Sequence, residues 1–304
     1  MELRVLQYFL AVTSEQSISG AAEYLHLSQP TLSRQLKDME NELGKQLLIR
    51  GNRKITLTEE GMILRKRAEE IMELVQKTEK EISLSDEFIA GDVYIGAGET
   101  DAIRLIARAA KQVQTQYPNI HFHIVSGDSS DLIEKLDKGL LDFSILFSKV
   151  DTPKYDSIEI PIKDVWGVLM RRDSPLAEKR AITPEDLWDQ PLIISRQASA
   201  EDSAVARWLN KDLSKLNIVA TYNLVFNASL MADEGLGYVL GLDKLINVSG
   251  DSNLCFKPFF PDLEASIMMV WKKYQVFPKA AEKFLETLQD TFKKHRQYNL
   301  CIAK

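Results

Sequence analysis

Apolar residues recur every three or four positions through the first 45 residues and predict three short helices. The first starts near Leu3, and the second starts near Ser17, whose hydroxyl can cap the first backbone amides. Ser28 is a suitable N-cap for the third helix, Pro30 falls in its first turn, where no helical donor is lost, and Gly44 should end it. The apolar stripe of this third helix consists of Leu32, Leu36, Met39 and Leu43.

The opposite face of the third helix is polar. Its residues are three or four positions apart, so they project together into solvent or into a groove. Two interpretations are open at this point: a surface that reads DNA, or the solvated side of a packed helical hairpin whose cations pair with Asp38 or Glu40. The residues of this polar face are Gln29, Pro30, Ser33, Arg34 and Lys37.

A short hairpin is predicted directly after these helices. Residues Leu47 to Thr56 alternate in polarity around Gly51 and Asn52, which both tolerate positive φ. A hairpin in this position would form a wing beside the third helix. Its tip is basic and, together with cations of the third helix, concentrates positive charge. The cations concerned are Arg34, Lys37, Lys45, Arg50, Arg53 and Lys54.

A long helix should follow, starting after Thr58 and reaching about Glu87. Glu59 and Glu60 lie at the end of the helix dipole that favours negative charge. A narrow apolar stripe suits pairing with a second helix, although a linker packed on its own protein is the alternative. The stripe consists of Leu64, Ala68, Ile71, Val75, Thr78 and Ile82.

From Gly91 onwards, strands and helices alternate, which predicts a parallel sheet. A second unit of this kind begins near Asp164, and residues 265–273 with the helix Lys279 to His295 return to the first unit. Two subdomains joined by two crossovers would enclose a cleft. The strands end in polar residues at the edge where open parallel sheets bind small molecules.

The overall composition narrows the function. The chain has 304 residues, enough for two or three domains, and 45% of them are hydrophobic, which predicts a sizeable core. Its net charge of −6 would repel nucleic acid, so DNA binding requires a local basic patch such as the wing. No signal peptide or membrane span is expected, which favours the cytoplasm.

Motifs for other chemistry are weak, and no catalytic residue, metal or cofactor is predicted. Gly96 and Gly98 lack the third glycine of a dinucleotide loop. His121 and His123 are assigned to opposite faces of a strand, which argues against a shared metal. No nucleophile elbow is found. The two cysteines, Cys255 and Cys301, are too far apart in sequence to indicate a disulfide framework, and whether either has a redox role is left open.

One segment closely resembles the winged helix-turn-helix of LysR-type transcriptional regulators. It is SISGAAEYLHLSQPTLSRQLKDMENELGKQLLIRGNRKITLTEEG, residues 17–61. The resemblance implies an α/β protein with a winged helix-turn-helix (1–58), a linker and dimerisation helix (59–89) and an effector-binding domain (90–304). That domain would resemble type 2 periplasmic binding proteins, with subdomain I at about 90–161 and 266–304 and subdomain II at about 162–265.

The resemblance also implies site residues and partners. The family's base-reading positions fall on Gln29, Pro30, Ser33 and Arg34, the face that periodicity indicates independently. Expected partners are double-stranded promoter DNA, a small-molecule effector, further copies of the chain in a homodimer or homotetramer, and RNA polymerase. The full set of DNA-binding residues is Ser28, Gln29, Pro30, Thr31, Ser33, Arg34, Lys37, Arg50, Arg53 and Lys54.

Effectors of the family lie at strand ends between the subdomains. For Thr100 and Ser129, helix capping alone is the alternative. Glu99 complicates a simple anion pocket, because a buried carboxylate would repel a carboxylate ligand. The effector-binding residues implied are Gly98, Glu99, Thr100, Asp128, Ser129, Ser195, Arg196 and Asn227.

Two rival functions are weighed against a regulator. A cytoplasmic small-molecule binding protein without a transcriptional role would leave the first 57 residues unexplained. An enzyme would need an acid–base or nucleophile constellation, and the sequence offers none.

Overall fold

A computed structural model describes residues 1–51, 54–83, 89–147, 153–199 and 203–302, with only the backbone for 83 and 298–302. The chain divides into two compact units, Met1–Ser83 and Leu84–Lys304. The first unit contains α1 (Leu3–Glu15), α2 (Ile18–Tyr24), α3 (Gln29–Leu43), β1 (Leu48–Arg50), β2 (Ile55–Leu57) and α4 (Glu59–Ser83).

The three predicted helices and their caps are confirmed. The Ser17 hydroxyl accepts the Gly20 N–H at 3.2 Å at the start of α2. Ser28 caps α3 in the same way, and Gly44 ends it in the left-handed conformation with φ 65°. Leu43 departs from the prediction: it is 42% exposed, because the last turn of α3 extends past the core. The core of this unit is formed by Val5, Leu6, Phe9, Val12, Ala21, Ala22, Leu32, Leu36, Met39, Leu47, Leu48 and Ala68.

Helix α4 is half packed and half exposed. The Thr58 hydroxyl accepts the Gly61 N–H at 3.0 Å, which confirms the predicted cap. Ala68 is fully buried, whereas Ile82 at the far end is 78% exposed. The predicted end near Glu87 lies outside the described residues. The apolar stripe of α4 therefore leaves the core of its own unit before the helix ends.

The second unit is a mixed sheet covered by helices. Its helices are α5 (Ile103–Gln116), α6 (Ser129–Asp137), α7 (Ala204–Leu209), α8 (Val225–Asp233) and α9 (Lys279–Ile302). Its strands are β3 (Gly91–Ala97), β4 (Ile120–Ser126), β5 (Phe143–Leu146), β6 (Tyr155–Arg171), β7 (Leu192–Ser195), β8 (Ile218–Tyr222), β9 (Tyr238–Leu242), β10 (Leu254–Pro258) and β11 (Glu264–Lys272).

The strands follow the order β4-β3-β5-β11-β6-β9-β7-β8 within the described residues, with β10 on β6. The predicted parallel pairing holds at the two ends, where β3 pairs with β4 and β5, and β7 pairs with β8 and β9. The centre is antiparallel, because β11 pairs with both β5 and β6. The sheet is therefore mixed rather than parallel throughout.

One long strand runs through the predicted subdomain boundary near residue 161. Strand β6 runs unbroken through that position and pairs with β11 in its first part and with β9 and β10 in its second. Separate apolar cores lie on either side: Phe143 and Phe284 belong to one, and Leu192 and Phe259 to the other. Strands β6 and β11 thus provide the two predicted crossovers between subdomains.

Two local predictions need correction. The sequence predicts a helix that starts at Asn227, but α8 starts two residues earlier, at Val225. Asp128, rather than Ser129, caps α6, and its Oδ1 accepts the Asp131 N–H at 3.1 Å. Among the described residues, no helix is both long enough and apolar enough to cross a bilayer.

Candidate functional site

The exposed face of α3 carries the predicted polar residues. The Arg34 side chain is 84% exposed, and its Nε lies 3.9 Å from the Asp38 carboxylate. A pair this long and this exposed is too weak to keep the guanidinium from another partner. Ser33 is half-buried. The predicted residues exposed along this face are Ser28, Gln29, Pro30, Thr31, Arg34 and Lys37.

A tight turn before α3 fixes the direction of that face. His26 has a φ of 54°, which reverses the chain after α2. The Leu27 N–H then donates to the Ala22 carbonyl oxygen at 2.8 Å. The Ser28 hydroxyl accepts the Thr31 N–H at 3.3 Å, so the turn leads directly into a capped helix. Backbone hydrogen bonds therefore set the angle between α2 and α3.

The predicted wing is present and is fixed to α3. Strands β1 and β2 pair antiparallel, with Arg50 opposite Ile55. Arg50 donates to the Ser33 hydroxyl at 3.4 Å. This hydrogen bond holds the end of β1 beside α3. Lys54 is exposed, and Arg53 lies outside the described residues. The exposed cations of this surface therefore include Arg34, Lys37, Arg50 and Lys54.

Glu40 anchors the wing, a role the sequence analysis missed. One of its oxygens accepts the Leu47 N–H at 2.7 Å and the Leu48 N–H at 3.1 Å. The Ile55 N–H donates to the Gln16 carbonyl oxygen at 2.8 Å on the other side. Glu40 is thus not the exposed ion-pair partner considered for the α3 cations.

Gly51 is needed because a larger residue would be too close to the backbone of Lys54, and not because the chain has a positive φ there. It is not among the positive-φ glycines. Its N–H donates to the Lys54 carbonyl oxygen at 3.1 Å, and a Cβ would lie 2.8 Å from that oxygen.

A cavity of about 540 Å³ opens within the second unit, at the strand ends between the two apolar cores. Its size suits a small organic molecule. Four of the predicted effector residues line it: Gly98, Glu99, Ser129 and Ser195. Gly98 leaves room for an aromatic wall, since a Cβ there would lie 2.5 Å from the Phe147 ring.

The other four predicted effector residues do not line the cavity. Thr100 is 3% exposed, and its hydroxyl accepts the Ala102 N–H at 3.0 Å ahead of α5. Asn227 is exposed on α8. Arg196 and Asp128 face each other with 3.9 Å between Nη2 and Oδ2. The Asp131 N–H and Ser130 hydroxyl lower the pKa of Asp128, and Arg196 adds to this.

Glu99 joins the two subdomains. Its carboxylate accepts the N–H of Val225, the first residue of α8. Burial raises the pKa of Glu99, and the Val225 N–H partly opposes that shift. A weaker contact is the hydrogen bond that the Ser129 hydroxyl donates to the side-chain amide oxygen of Gln197, Oε1, at 3.5 Å. Side chains from both sides of the cleft therefore meet around the cavity.

Several lining residues were not predicted, because no motif marks the strands, the helix α7 and the loops in which they lie. Tyr222 donates to the Leu240 carbonyl oxygen at 2.8 Å, and burial raises the pKa of its phenol. Its position at the end of β8 is the one signal that could have found it. The unpredicted lining residues include Phe147, Trp166, Gln197, Val205, Tyr222, Asn223, Leu242, Leu245 and Glu264.

The assignment of the two histidines to opposite faces is wrong. Residues two apart in a strand share a face. His123 Nε2 lies 3.2 Å from Asp92 Oδ1, and His121 Nδ1 lies 3.9 Å from the same oxygen. No group of three or more metal-binding side chains is found in the described part of the chain.

Comparison with known families matches both units. Residues 3–62 match the family described as "Bacterial regulatory helix-turn-helix protein, lysR family". Residues 87–293 match the "LysR substrate binding domain". These matches define a DNA-binding transcriptional regulator with an effector-binding domain, a class that is not enzymatic. The chain belongs to the LysR family of transcriptional regulators, whose members bind DNA and small molecules and form oligomers.

Individual relatives agree with this assignment. The chain is 28% identical to the Hca operon transcriptional activator HcaR of Escherichia coli K12, over 95% of this chain and 98% of the relative. It is 31% identical to the HTH-type transcriptional regulator BsdA of Bacillus subtilis 168, over 72% and 74%. The fold is similar to that of full-length CbnR complexed with its target DNA, with a TM-score of 0.74, 18% identity and coverage of 96% and 100%.

Proposed function

We propose that this chain is an effector-responsive regulator that reads a promoter sequence with α3 and its wing. The observation that carries the proposal is the exposed polar face of α3 beside a wing that Glu40 and Arg50 fix to the same helix. In an acidic protein, this surface supplies the local positive charge that DNA binding requires. A mere helical hairpin would need neither the wing nor its attachment.

Base reading is assigned to the amino-terminal half of α3. Gln29 can form two hydrogen bonds with adenine, and Arg34 can do so with guanine, across the major groove. Pro30 offers apolar contact to a thymine methyl group, and Ser33 a hydroxyl. The remaining polar and basic residues would hold phosphates, and the wing cations could also enter the adjacent minor groove. These residues are Ser28, Thr31, Lys37, Arg50, Arg53 and Lys54.

We propose that α4 (Glu59–Ser83), the described part of the predicted linker segment 59–89, is a dimerisation helix. Ile63 and Ile82 on α4 are 66% and 78% exposed, and Leu74 is 40% exposed. Apolar side chains along a long helix are typical of a surface that pairs with a second helix. A homodimer or homotetramer in the cytoplasm would then bind an interrupted inverted repeat, since protein two-fold symmetry requires paired half-sites. RNA polymerase would be the further partner at that promoter.

The cavity of the second unit is proposed as the effector site. Glu99 reaches α8 from the opposite side of the cleft, so a ligand there would contact both subdomains. A ligand that binds one arrangement of subdomains or subunits more tightly shifts the population toward it. The resulting change in DNA bending would alter transcription.

Binding to the chain's own upstream DNA tests the proposal. Fluorescence anisotropy should show preference for that duplex over a scrambled duplex of equal composition, with affinity that falls steeply as salt rises. Arg34→Ala should weaken binding, whereas Arg180→Ala, a change of an exposed arginine in the second unit, serves as the matched control. Equal affinity for both duplexes would support the rival small-molecule binding protein.

A further inference from the structure

The charge of the cavity wall restricts the chemistry of its ligand. Among the described residues that line the cavity, Glu99 and Glu264 are acidic and none is Lys, Arg or His. Glu264 is paired with Lys163 at 2.6 Å, which offsets its charge. Arg196 lies outside the lining set, 3.9 Å from Asp128. The Glu99 carboxylate therefore gives this wall its negative character.

Glu99 also occupies the position that an anionic ligand would seek. The amino end of a helix attracts negative charge, and at α8 the Val225 N–H already donates to Glu99. A ligand carboxylate could reach this end only by displacing Glu99 or by lying beside it. Either arrangement places two carboxylates close together in a partly desolvated site, which is unfavourable.

The same environment favours a positive group. Burial raises the pKa of Glu99, since its charged form is poorly solvated. An ammonium group would provide both the opposite charge and N–H donors for a charge-assisted hydrogen bond. Phe147 and Trp166 also line the cavity, and aromatic rings can stabilise a cation.

The remainder of the wall suits an apolar body. Leu242, Leu245 and Val205 line the cavity together with the two aromatic side chains. Gln197 and Asn223 add neutral hydrogen-bonding groups. The lining thus combines the Glu99 carboxylate, the Glu264 carboxylate that Lys163 offsets, and neutral polar groups with an apolar remainder.

We propose that the effector is an organic amine whose ammonium group binds the Glu99 carboxylate and whose apolar body packs against Phe147, Trp166 and Leu242. This inference rests on the proposed role of the cavity as the effector site. It specifies an ammonium group as the part of the ligand that Glu99 recognises. The rest of the ligand must be apolar and small enough to fit the cavity.

Matched ligands test the head group on the unmodified full-length protein. One trio is 2-phenylethylamine, 2-phenylethanol and 3-phenylpropionate, and a second is hexylamine, hexanol and heptanoate. Thermal unfolding is measured with each at equal concentration, pH and ionic strength, because a ligand of the folded state raises the midpoint. The amine should raise the midpoint most in at least one trio. A larger rise with the alcohol or the carboxylate than with the amine in both trios, or no rise with either amine, would overturn the proposal.

A variant then tests the assigned residue. Glu99→Gln keeps the size of the side chain and removes its charge, while Glu178→Gln changes an exposed carboxylate outside the cavity lining. Calorimetry with the stabilising amine should show affinity lowered by about tenfold or more in the first variant, as expected for loss of a charge-assisted bond. The second variant should bind like the parent. An equal loss of affinity in both variants, or no loss in Glu99→Gln, would contradict the assignment to Glu99. The ranking of the ligands is measured on the unmodified protein and does not depend on either variant.

The DNA measurement separates this inference from the proposed function. If a carboxylate alters binding to the upstream DNA and the amines do not, the head group is wrong and the regulator proposal stands. If the protein shows no preference for its upstream DNA, the regulator proposal fails, whichever head group stabilises the fold.

Discussion

Glu40 accepts the Leu47 N–H at 2.7 Å and so connects the proposed recognition helix to the wing. The same oxygen accepts the Leu48 N–H, so one carboxylate satisfies two amides where the hairpin begins. The base-reading face and the basic wing are thereby held together by a residue that belongs to neither.

Replacing Glu40 with Ala should lower the free energy of unfolding of the first unit by about 2 kcal/mol, because two half-buried amides lose a charged acceptor. DNA affinity should fall with it, since the wing is no longer fixed beside α3. Denaturant unfolding and anisotropy measure the two effects. Glu42→Ala is the matched control, because Glu42 is exposed on the same helix and pairs with the terminal amine. Equal effects of both changes would contradict the anchoring role.

Gly61 allows α4 to approach the start of the wing. A Cβ at this position would lie 2.2 Å from the Leu47 carbonyl oxygen, a backbone atom that cannot move aside without moving the hairpin. Gly61→Ala should therefore destabilise the first unit by about 2–3 kcal/mol, as overpacking does.

Gly44→Ala provides the comparison for that change. Gly44 has a φ of 65° and nothing within 4 Å of an added Cβ, so only backbone strain of about 1 kcal/mol is expected. A Gly61 variant as stable as the Gly44 variant would show that the close approach is not needed.

Thr100 is expected to stabilise the fold of the second unit. Its buried hydroxyl accepts the Ala102 N–H and also interacts with Asp164. Thr100→Ala should lower the free energy of unfolding by about 1–3 kcal/mol, because it leaves buried polar groups without a partner. Thr100→Ser should restore most of the loss in denaturant unfolding. Full stability of the alanine variant would contradict this.

The raised pKa of Asp164 should make the free energy of unfolding depend on pH. Burial raises its pKa, and its Oδ2 has no hydrogen-bond partner among the described residues. Its folded pKa lies above the unfolded value, so the folded state binds the proton more tightly. The contribution of Asp164 to stability therefore falls as pH rises from the unfolded pKa through the folded one.

The variant Asp164→Asn isolates this effect. Its free energy of unfolding relative to the parent should increase as pH rises above about 4, the ordinary pKa of an aspartate, since the parent alone acquires a buried charge. Glu99 shifts in the same direction but is present in both proteins, so it cancels in the difference. Chemical unfolding at a series of pH values measures it, and a difference that does not change with pH would refute the prediction.

The sequence predictions that the structure confirms depend on residues that are close together in the sequence. Ser17, Ser28 and Gly44 cap helices through hydrogen bonds and backbone angles set within a few residues. The wing followed from alternation around Gly51 in the same way. These features depend on neighbours in sequence, so one sequence suffices to predict them.

The sequence predictions failed where the structure depends on contacts between segments that are far apart in the sequence. The sheet expected to be parallel is antiparallel at its centre, because β11 pairs with β6, a strand about a hundred residues earlier in the chain. Trp166 reaches the cavity on β6, which pairs there with β9, and Tyr222 reaches it on β8, which pairs with β7. No motif in the sequence marks either residue. Glu99 was recognised as unusual, but its contact with Val225 depends on how the two subdomains meet. The histidine assignment failed for another reason, since the period of a strand was misapplied.

The measurement that tests the central claim most directly is the affinity of the parent and of Arg34→Ala for a series of operator duplexes, each with one base pair changed. If Arg34 binds guanine with two hydrogen bonds, its loss should cost about 1–3 kcal/mol on the parent operator and abolish discrimination at one base pair while keeping it elsewhere. Arg180→Ala should reproduce the parent profile. An Arg34→Ala profile that keeps discrimination at every base pair would contradict the claim that this face of α3 reads the promoter.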